Sequence, residues 1–461
     1  MADRDFLFWP IAELLEAYRT REVSPVEVVE DALSRIAGLD DQLHSFLSVT
    51  TEIALEQAAA AERLYRHGEA TLPLLGVPIS VKDLFDVQGA VTTLGSRLYG
   101  HEPAVADSEP VAKLRAAGAV FVGKTNTAEF GQSATTDNLL GPACGNPWDP
   151  TRTAGGSSGG AAASVGAGFA AAALGSDGGG SIRIPAAMCG LFGLKPTFAE
   201  LAEDESFKAM SPFACAGPIT RVVDDARRML AVQLERDLTA RAPRERRRLA
   251  WNPAPLGHPV DPGVRQVTAA AVARLAEMGH QIDEVDLPID GWPEAFGPPV
   301  LDDEWRYRSH LLERPGDLTS YARKAIERGE QVTKADLAVA RAMREKIRRR
   351  VGELFTRYDF ILTPTMACLP FTLGQRPTEI DGVKVDSLWG PFPFAAPFNV
   401  SGSPAASVPV GLAEDLPVGL QVVAPYNAEG DLIDFCQELE AALPSTVGVM
   451  KSRWGHVGLN R

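Results

Sequence analysis

Residues 154–183 read A-G-G-S-S-G-G-A-A-A-S-V-G-A-G-F-A-A-A-A-L-G-S-D-G-G-G-S-I-R, from Ala154 to Arg183. Two clusters of glycine and serine flank an alanine-rich run, and Ser157 precedes Ser181 by 24 positions. Clustered glycines let a backbone take conformations closed to residues with a Cβ, and let it approach a ligand closely. Gly178, Gly179 and Gly180 set consecutive N–H groups ahead of Ser181 and of a short helix expected from Ile182 to Met188. Amides converging at a helix start favour an anion, and in acyl transfer that anion is the tetrahedral oxyanion. Read alone, the same residues also fit a pair of tight turns around a buried strand.

Upstream, Gly76-Val77-Pro78-Ile79-Ser80-Val81-Lys82-Asp83 alternates apolar residues as a strand does, which sets Ser80 and Lys82 on one face. A lysine at a strand end is usually solvated, so this pattern by itself gives Lys82 no chemistry. Further on, Gly118 to Thr125 formally fits the phosphate-loop pattern G-x-x-x-x-G-K-T. A phosphate loop needs flexible residues between its glycines and a strand ahead of the first one. Here Ala119-Val120-Phe121-Val122 is itself the strand, so its amides belong to a sheet and the phosphate-loop reading is rejected.

The 461 residues are 45% hydrophobic and only 7% aromatic, as in a soluble globular chain with an alanine-rich core. A net charge of −15 argues against nucleic acid or an anionic membrane as partner. Residues 154–176 carry no charge, yet their glycines and serines suit a buried core better than a bilayer span. The five cysteines are scattered and lack C-x-x-C spacing, which fits neither a zinc site nor a disulfide framework and favours a reducing cytoplasm. The N-terminal M-A-D-R-D-F-L-F-W-P has no signal-peptide pattern.

Helices are expected over 14–21, after the capping box Ser24-Pro25-Val26-Glu27, over 52–66 and over 108–117. Residues 1–70 thus read as an outer helical layer, and 71–222 as the core that holds the glycine-serine stretch. Residues 235–248, with six arginines, read as a polar surface connector. A helix is expected at 222–234, before that connector; beyond it, strands at 248–251, 281–287 and 360–364 alternate with helices at 263–278, 317–328, 334–356 and 429–442, and 249–445 reads as the second half of the core.

Together the motifs carry a resemblance. G-G-S-S-G-G followed by G-S-D-G-G-G-S-I-R, the G-V-P-x-x-V-K-D setting of Lys82, and its 75-residue distance from Ser157 resemble the amidase signature family of serine hydrolases. Gly123 to Gly131, Asn146 to Pro150, Gly190 to Thr197, Phe398 to Ala405 and Leu416 to Gln421 are similar to the same family. Gly178 departs from it, standing where the family usually has threonine. The resemblance implies one α/β domain over 1–461, a mixed central β-sheet sandwiched by helices.

It also implies a cast of residues. Ser181 attacks, Ser157 (preceded by a cis peptide bond) passes its proton towards the base Lys82, and the amides of Gly178, Gly179, Gly180 and Ser181 hold the oxyanion. Ser158, Asp177 and Arg183 support them, while Gly131, Gln132, Met210, Phe213 and Phe394 are expected at the substrate pocket. A neutral lysine can replace the imidazole of a Ser-His-Asp triad if burial lowers its pKa. The seven histidines lie outside the motifs and are expected at the surface.

The expected activity is therefore hydrolysis of a small, uncharged aryl or acyl amide, with carbamates (as in a urethanase) or esters as further substrates. No cofactor and no metal is called for. The expected partners are the small-molecule amide and, if the chain self-associates, a second copy in a homodimer. One alternative is the glutaminase component of a tRNA-dependent amidotransferase, which needs a charged recognition stretch where this chain has Phe392-Pro393-Phe394-Ala395-Ala396-Pro397. Another is a non-catalytic scaffold on the same fold. Residues 199–215 break the family pattern and are expected to form a lid, with Phe207, Met210 and Phe213 touching the substrate.

Overall fold

The computed structural model describes residues 5–198, 210–241 and 246–455. An eleven-stranded sheet runs through them. Its order begins Phe46–Val49, Val120–Thr125, Pro78–Lys82, Ala172–Asp177, Cys215–Thr220 and Phe192–Lys195. It continues through Ala405–Ala413, Leu416–Val423, Phe360–Pro364, Arg248–Trp251 and Gln281–Glu284. Both parallel and antiparallel pairs occur, so the sheet is mixed, as expected. Pro78–Lys82 and Ala172–Asp177 are buried on both faces, which explains apolar runs rather than strict alternation.

The helices form for local reasons. Pro25–Leu39 starts at a complete capping box: Glu27 N–H donates to Ser24 Oγ at 3.2 Å and Ser24 N–H to Glu27 Oε2 at 2.8 Å. Gly159–Gly166 is an alanine-rich helix, not part of a strand, and every one of its residues is buried. Small side chains let it lie against the strands at 78–82 and 172–177. Lys334–Leu354 buries Ala340, Ile347 and Val351 and leaves its basic face outward.

Three features depart from the sequence expectations. Residues 1–70 are more than a helical layer, because Phe46–Val49 pairs with Val120–Thr125 as an edge of the sheet. The 235–248 connector is not wholly solvated: Arg247 is buried, its guanidinium 4.9 Å from the Phe360 ring centroid and 5.7 Å from that of Phe435. Trp292–Arg308 is a helix despite Pro298 and Pro299 inside it. Burial of Trp292, Phe296 and Val300 outweighs the backbone bonds that proline removes. Among the described residues no helix is long and apolar enough to cross a membrane. The five cysteines are buried thiols.

Candidate active site

Pro78–Lys82 and Ala172–Asp177 are parallel neighbours, with Ile79 opposite Ala172 and Val81 opposite Leu174. Parallel pairing brings their C-terminal ends to the same edge, where crevices in such sheets open. Lys82 therefore meets the glycine-serine stretch. Its Nζ lies 2.6 Å from Ser157 Oγ and 2.8 Å from Ser176 Oγ. Lys82 has no exposed surface. Burial pushes its pKa well below the ordinary 10.5, and the Asp177 charge only partly offsets that. A buried lysine without a directly bonded carboxylate is suited to accept a proton. Ser176 was not among the expected site residues, although it lies in the quoted stretch beside Asp177.

The peptide bond from Gly156 to Ser157 is cis. A Cβ on Gly156 would stand 2.5 Å from the Thr135 carbonyl carbon, so glycine is required by close approach. Ser158 ties the two serine segments together. Its N–H donates to the Ser181 carbonyl at 3.2 Å, and its Oγ donates to the Ser176 carbonyl at 3.2 Å.

After Asp177 the chain turns through Gly178–Ser181 into the short helix Arg183–Met188. Asp177 and Arg183 form a fully buried bidentate pair, with Nη2 to Oδ1 and Nε to Oδ2 both at 2.9 Å. Burial alone would raise the Asp177 pKa. The Arg183 charge and hydrogen bonds from Arg183 and Asn399 outweigh it and hold the carboxyl below its usual range. Arg183 also donates to Asn399 Oδ1 and Gln421 Oε1, both at 2.6 Å, and to the Ala395 carbonyl at 2.9 Å. This network fastens the Ser181 turn to the C-terminal half. Asn399 and Gln421 lie in family-like motifs of the sequence, but neither side chain was assigned a role from sequence.

One of the four expected oxyanion amides is already committed: Gly180 N–H donates to Asp177 Oδ1 at 2.7 Å. The N–H groups of Gly178, Gly179 and Ser181 have no acceptor among the described residues. Gly178 faces Met210, whose Sδ lies 2.5 Å from where a Cβ would stand. Met210 thus occupies the room that the usual threonine would need.

Ser181 opens into a cavity of about 490 Å³. Gly131, Gln132, Gly179 and Met210 line it, with Phe296, Val300 and Trp389 as an apolar wall. Ser157 adjoins it, since a Cβ on Gly131 would lie 3.4 Å from Ser157 Oγ. Gln132 Nε2 donates to Glu304 Oε1 at 2.8 Å. Glu304 is fully buried, and burial lifts its pKa to about 7 against the pull of Arg308.

Two expected pocket residues stand elsewhere. Phe213 is buried behind the wall, stacked on Phe296 at 5.0 Å between centroids. Phe394 lines a separate cavity with His258 that shares only Trp389 with the Ser181 cavity. Residues 199–209 of the expected lid, Phe207 included, lie outside the described residues, as does His456. No described histidine lines the Ser181 cavity. His280 is buried, contrary to expectation, at 3.1 Å from Glu438 Oε1. The aromatic wall was missed because Phe296 and Trp389 sit in segments with no motif.

The family model described as Amidase matches residues 27–433. The chain belongs to the amidase signature family. The A subunit of the glutamyl-tRNA(Gln) amidotransferase of Marinomonas sp. (strain MWYL1) is 33% identical over 93% of this chain and 96% of its own length. The acylamidase of Rhodococcus erythropolis is 32% identical over 96% and 97% of the two chains. A bacterial aryl acylamidase of the amidase signature family superposes with a TM-score of 0.89 at 29% identity, covering 97% of this chain and 99% of that one. The fold is thus the amidase signature fold, and the protein is an amidase signature enzyme acting on C–N bonds.

Proposed function

We propose that this amidase hydrolyses a linear amide through an acyl-enzyme on Ser181. The observation that carries the reading is the buried, partner-poor Lys82 bonded to Ser157 at the edge of the Ser181 cavity. A neutral Lys82 accepts the Ser157 proton while Ser157 takes the proton of Ser181. Ser181 Oγ then bonds to the carbonyl carbon, and the oxyanion meets the amides of Gly178, Gly179 and Ser181. As the tetrahedral adduct collapses, the C–N bond breaks and the relay returns its proton to the departing amine. Water attacks the ester along the same path and releases the acid. Asp177 and Arg183 act through the shape of the turn. Met210 and the Phe296–Trp389 wall suit an uncharged aryl or acyl portion beside the scissile bond, and carbamates or esters fit the same oxyanion chemistry.

Similarity to the amidotransferase component favours a glutaminase as the second reading. Glutamine would bring an ammonium group. No aspartate or glutamate lines the cavity among the described residues, and the 392–397 stretch is uncharged. Free-glutamine hydrolysis is therefore the weaker reading. A screen of p-nitroanilides, primary amides, aryl carbamates and glutamine, with fluorophosphonate labelling of Ser181, tests both. Labelled Ser181 with turnover of an aryl or acyl amide supports the first. Turnover of glutamine alone transfers support to the second, and absence of labelling and turnover removes both.

A further inference from the structure

Among the described residues, the charged side chains that line the cavity beside Ser181 are all cationic. Its described lining includes Lys324, Arg328 and Arg376 but neither aspartate nor glutamate, in a chain whose net charge is −15. Acidic residues outnumber basic ones overall, with 60 against 45, so a lining of cations alone runs against the composition. On Ser320–Gly329 the described ion pair joins Arg323 to Glu327, on neighbouring turns of the same helix. Among the described residues no carboxylate stands within ion-pair distance of Lys324, Arg328 or Arg376.

Arg376 is the built part of this arrangement. It is half-buried, and its Nη2 donates to Ser133 Oγ and, at 2.6 Å, to Thr135 Oγ1. Its guanidinium lies 5.7 Å from the Phe392 ring centroid. Asp137 faces this network too: its charge acts directly on Arg376, and its Oδ1 accepts from the Thr135 hydroxyl at 2.6 Å. Ser133 follows Gly131 and Gln132 directly, so Arg376 is fixed to the same loop that lines the Ser181 end. A guanidinium has five N–H donors in a planar fork that matches a carboxylate. Here Nη2 serves the two hydroxyls, and the other donors have no partner among the described residues.

We propose that the substrate carries a carboxylate remote from the scissile amide, bound by Arg376 and drawn into the cavity by Lys324 and Arg328. The inference rests on the amide-hydrolysis reading and narrows it: the uncharged portion lies between Ser181 and the Phe296–Trp389 wall, and an anionic end lies beyond. A concave surface whose described charges are cationic concentrates anionic ligands, even on a protein whose net charge repels them. The same surface disfavours an α-ammonium group. The substrate class is accordingly a half-amide of a dicarboxylic acid, or the amide of an amino acid or aminobenzoate joined through its amine.

Two matched pairs test it with the full chain at low ionic strength. One pair puts the carboxylate on the acyl side, as glutaryl p-nitroanilide against its methyl ester. The other puts it on the amine side, as N-acetyl-4-aminobenzoate against N-acetyl-4-aminobenzamide. In at least one pair kcat/KM favours the carboxylate roughly tenfold or more, as for a charge-assisted hydrogen bond. That ratio falls towards one in Arg376→Gln and is kept only in part in Arg376→Lys, which retains the charge but not the planar fork. The exposed double variant Lys324→Gln/Arg328→Gln keeps the fold, lowers the ratio and weakens its dependence on salt. A neutral preference in both pairs overturns the proposal. So does a ratio unchanged in Arg376→Gln and in the double variant, the result expected if Arg376 merely holds the 133–135 loop. If no amide is turned over and Ser181 is not labelled, the amide-hydrolysis reading itself falls, which is a separate result.

Discussion

Lys82 Nζ and Ser157 Oγ are 2.6 Å apart across 75 residues of sequence, and the lysine is wholly buried. Parallel pairing of two short strands creates this contact, and the same strands deliver Ser176 to the lysine's other side. Lys82→Ala, Ser157→Ala and Ser181→Ala each lower kcat/KM at least about a thousandfold while leaving a folded protein. Removing a second member of the relay changes little more, because such groups act as a unit. A Ser181→Ala protein retaining a substantial part of wild-type kcat, with contaminating enzyme excluded, would falsify the assignment.

The second prediction concerns pH. Only the neutral amine of Lys82 can accept the Ser157 proton, and burial lowers its pKa. Activity therefore rises with pH through that lowered pKa and levels above it. Stability moves in the same direction: between the folded lysine's lowered pKa and 10.5 the unfolded lysine holds a proton that the folded one has lost, so stability grows as pH rises across that window. Lys82→Met flattens this rise in urea unfolding. An activity optimum in acid, declining from neutral pH upward, contradicts a lysine base.

Gly178 and Met210 give a third. The Met210 sulfur stands 2.5 Å from the position of a Gly178 Cβ, so Gly178→Thr drives into it and costs about 1–3 kcal/mol of stability or distorts the oxyanion amides. Gly178→Thr/Met210→Ala relieves the clash and recovers kcat. Equal activity in Gly178→Thr and wild type would show that the two sites do not compete for room.

Asn399 supplies the fourth. It donates to Asp177 Oδ1 at 2.8 Å and accepts from Arg183 at 2.6 Å, all without solvent. Asn399→Leu leaves two buried charged groups short of partners. The expected loss is about 3 kcal/mol, with kcat reduced because the Ser181 turn hangs on this pair. Unfolding midpoints and single-turnover rates measure the two effects. Neither effect appearing would mean that the network does not hold the turn.

Asp225 gives the last. It is buried, accepts the Ile11 N–H at 2.8 Å, and burial pushes its pKa up to about 7 despite that bond and the Arg221 charge. Between the ordinary carboxylate range and about 7 the folded chain holds a proton that the unfolded chain has released, so this contribution to stability declines as pH rises through the window. Asp225→Asn keeps an acceptor for Ile11 and is more stable than wild type near pH 8, on the order of 1–3 kcal/mol, with the difference shrinking near pH 5. Parallel pH profiles for the two proteins would refute the raised pKa.

Local chemistry made much of this protein readable in the sequence. Ser24-Pro25 with Glu27 starts a helix by satisfying its own end groups, and the strands at 120–125 and 360–364 announce themselves through short apolar runs. The spacing of Lys82, Ser157 and Ser181, with the motifs around them, was enough to suggest the family. Other features depend on groups brought together from distant parts of the chain, and no local pattern records them. Trp292–Arg308 is helical because buried aromatics outweigh two prolines, so only its neighbours reveal it. Gly180 N–H is committed because Asp177 folds back on the turn, while Met210 reaches Gly178 from 32 residues away. Phe213 and Phe394, chosen for their apolar character, lie outside the Ser181 cavity because apolar residues fill core and pocket alike. The described cationic lining of that cavity joins residues near 324 and 376 to a loop near 133, and the fold alone decides which charges face the same space.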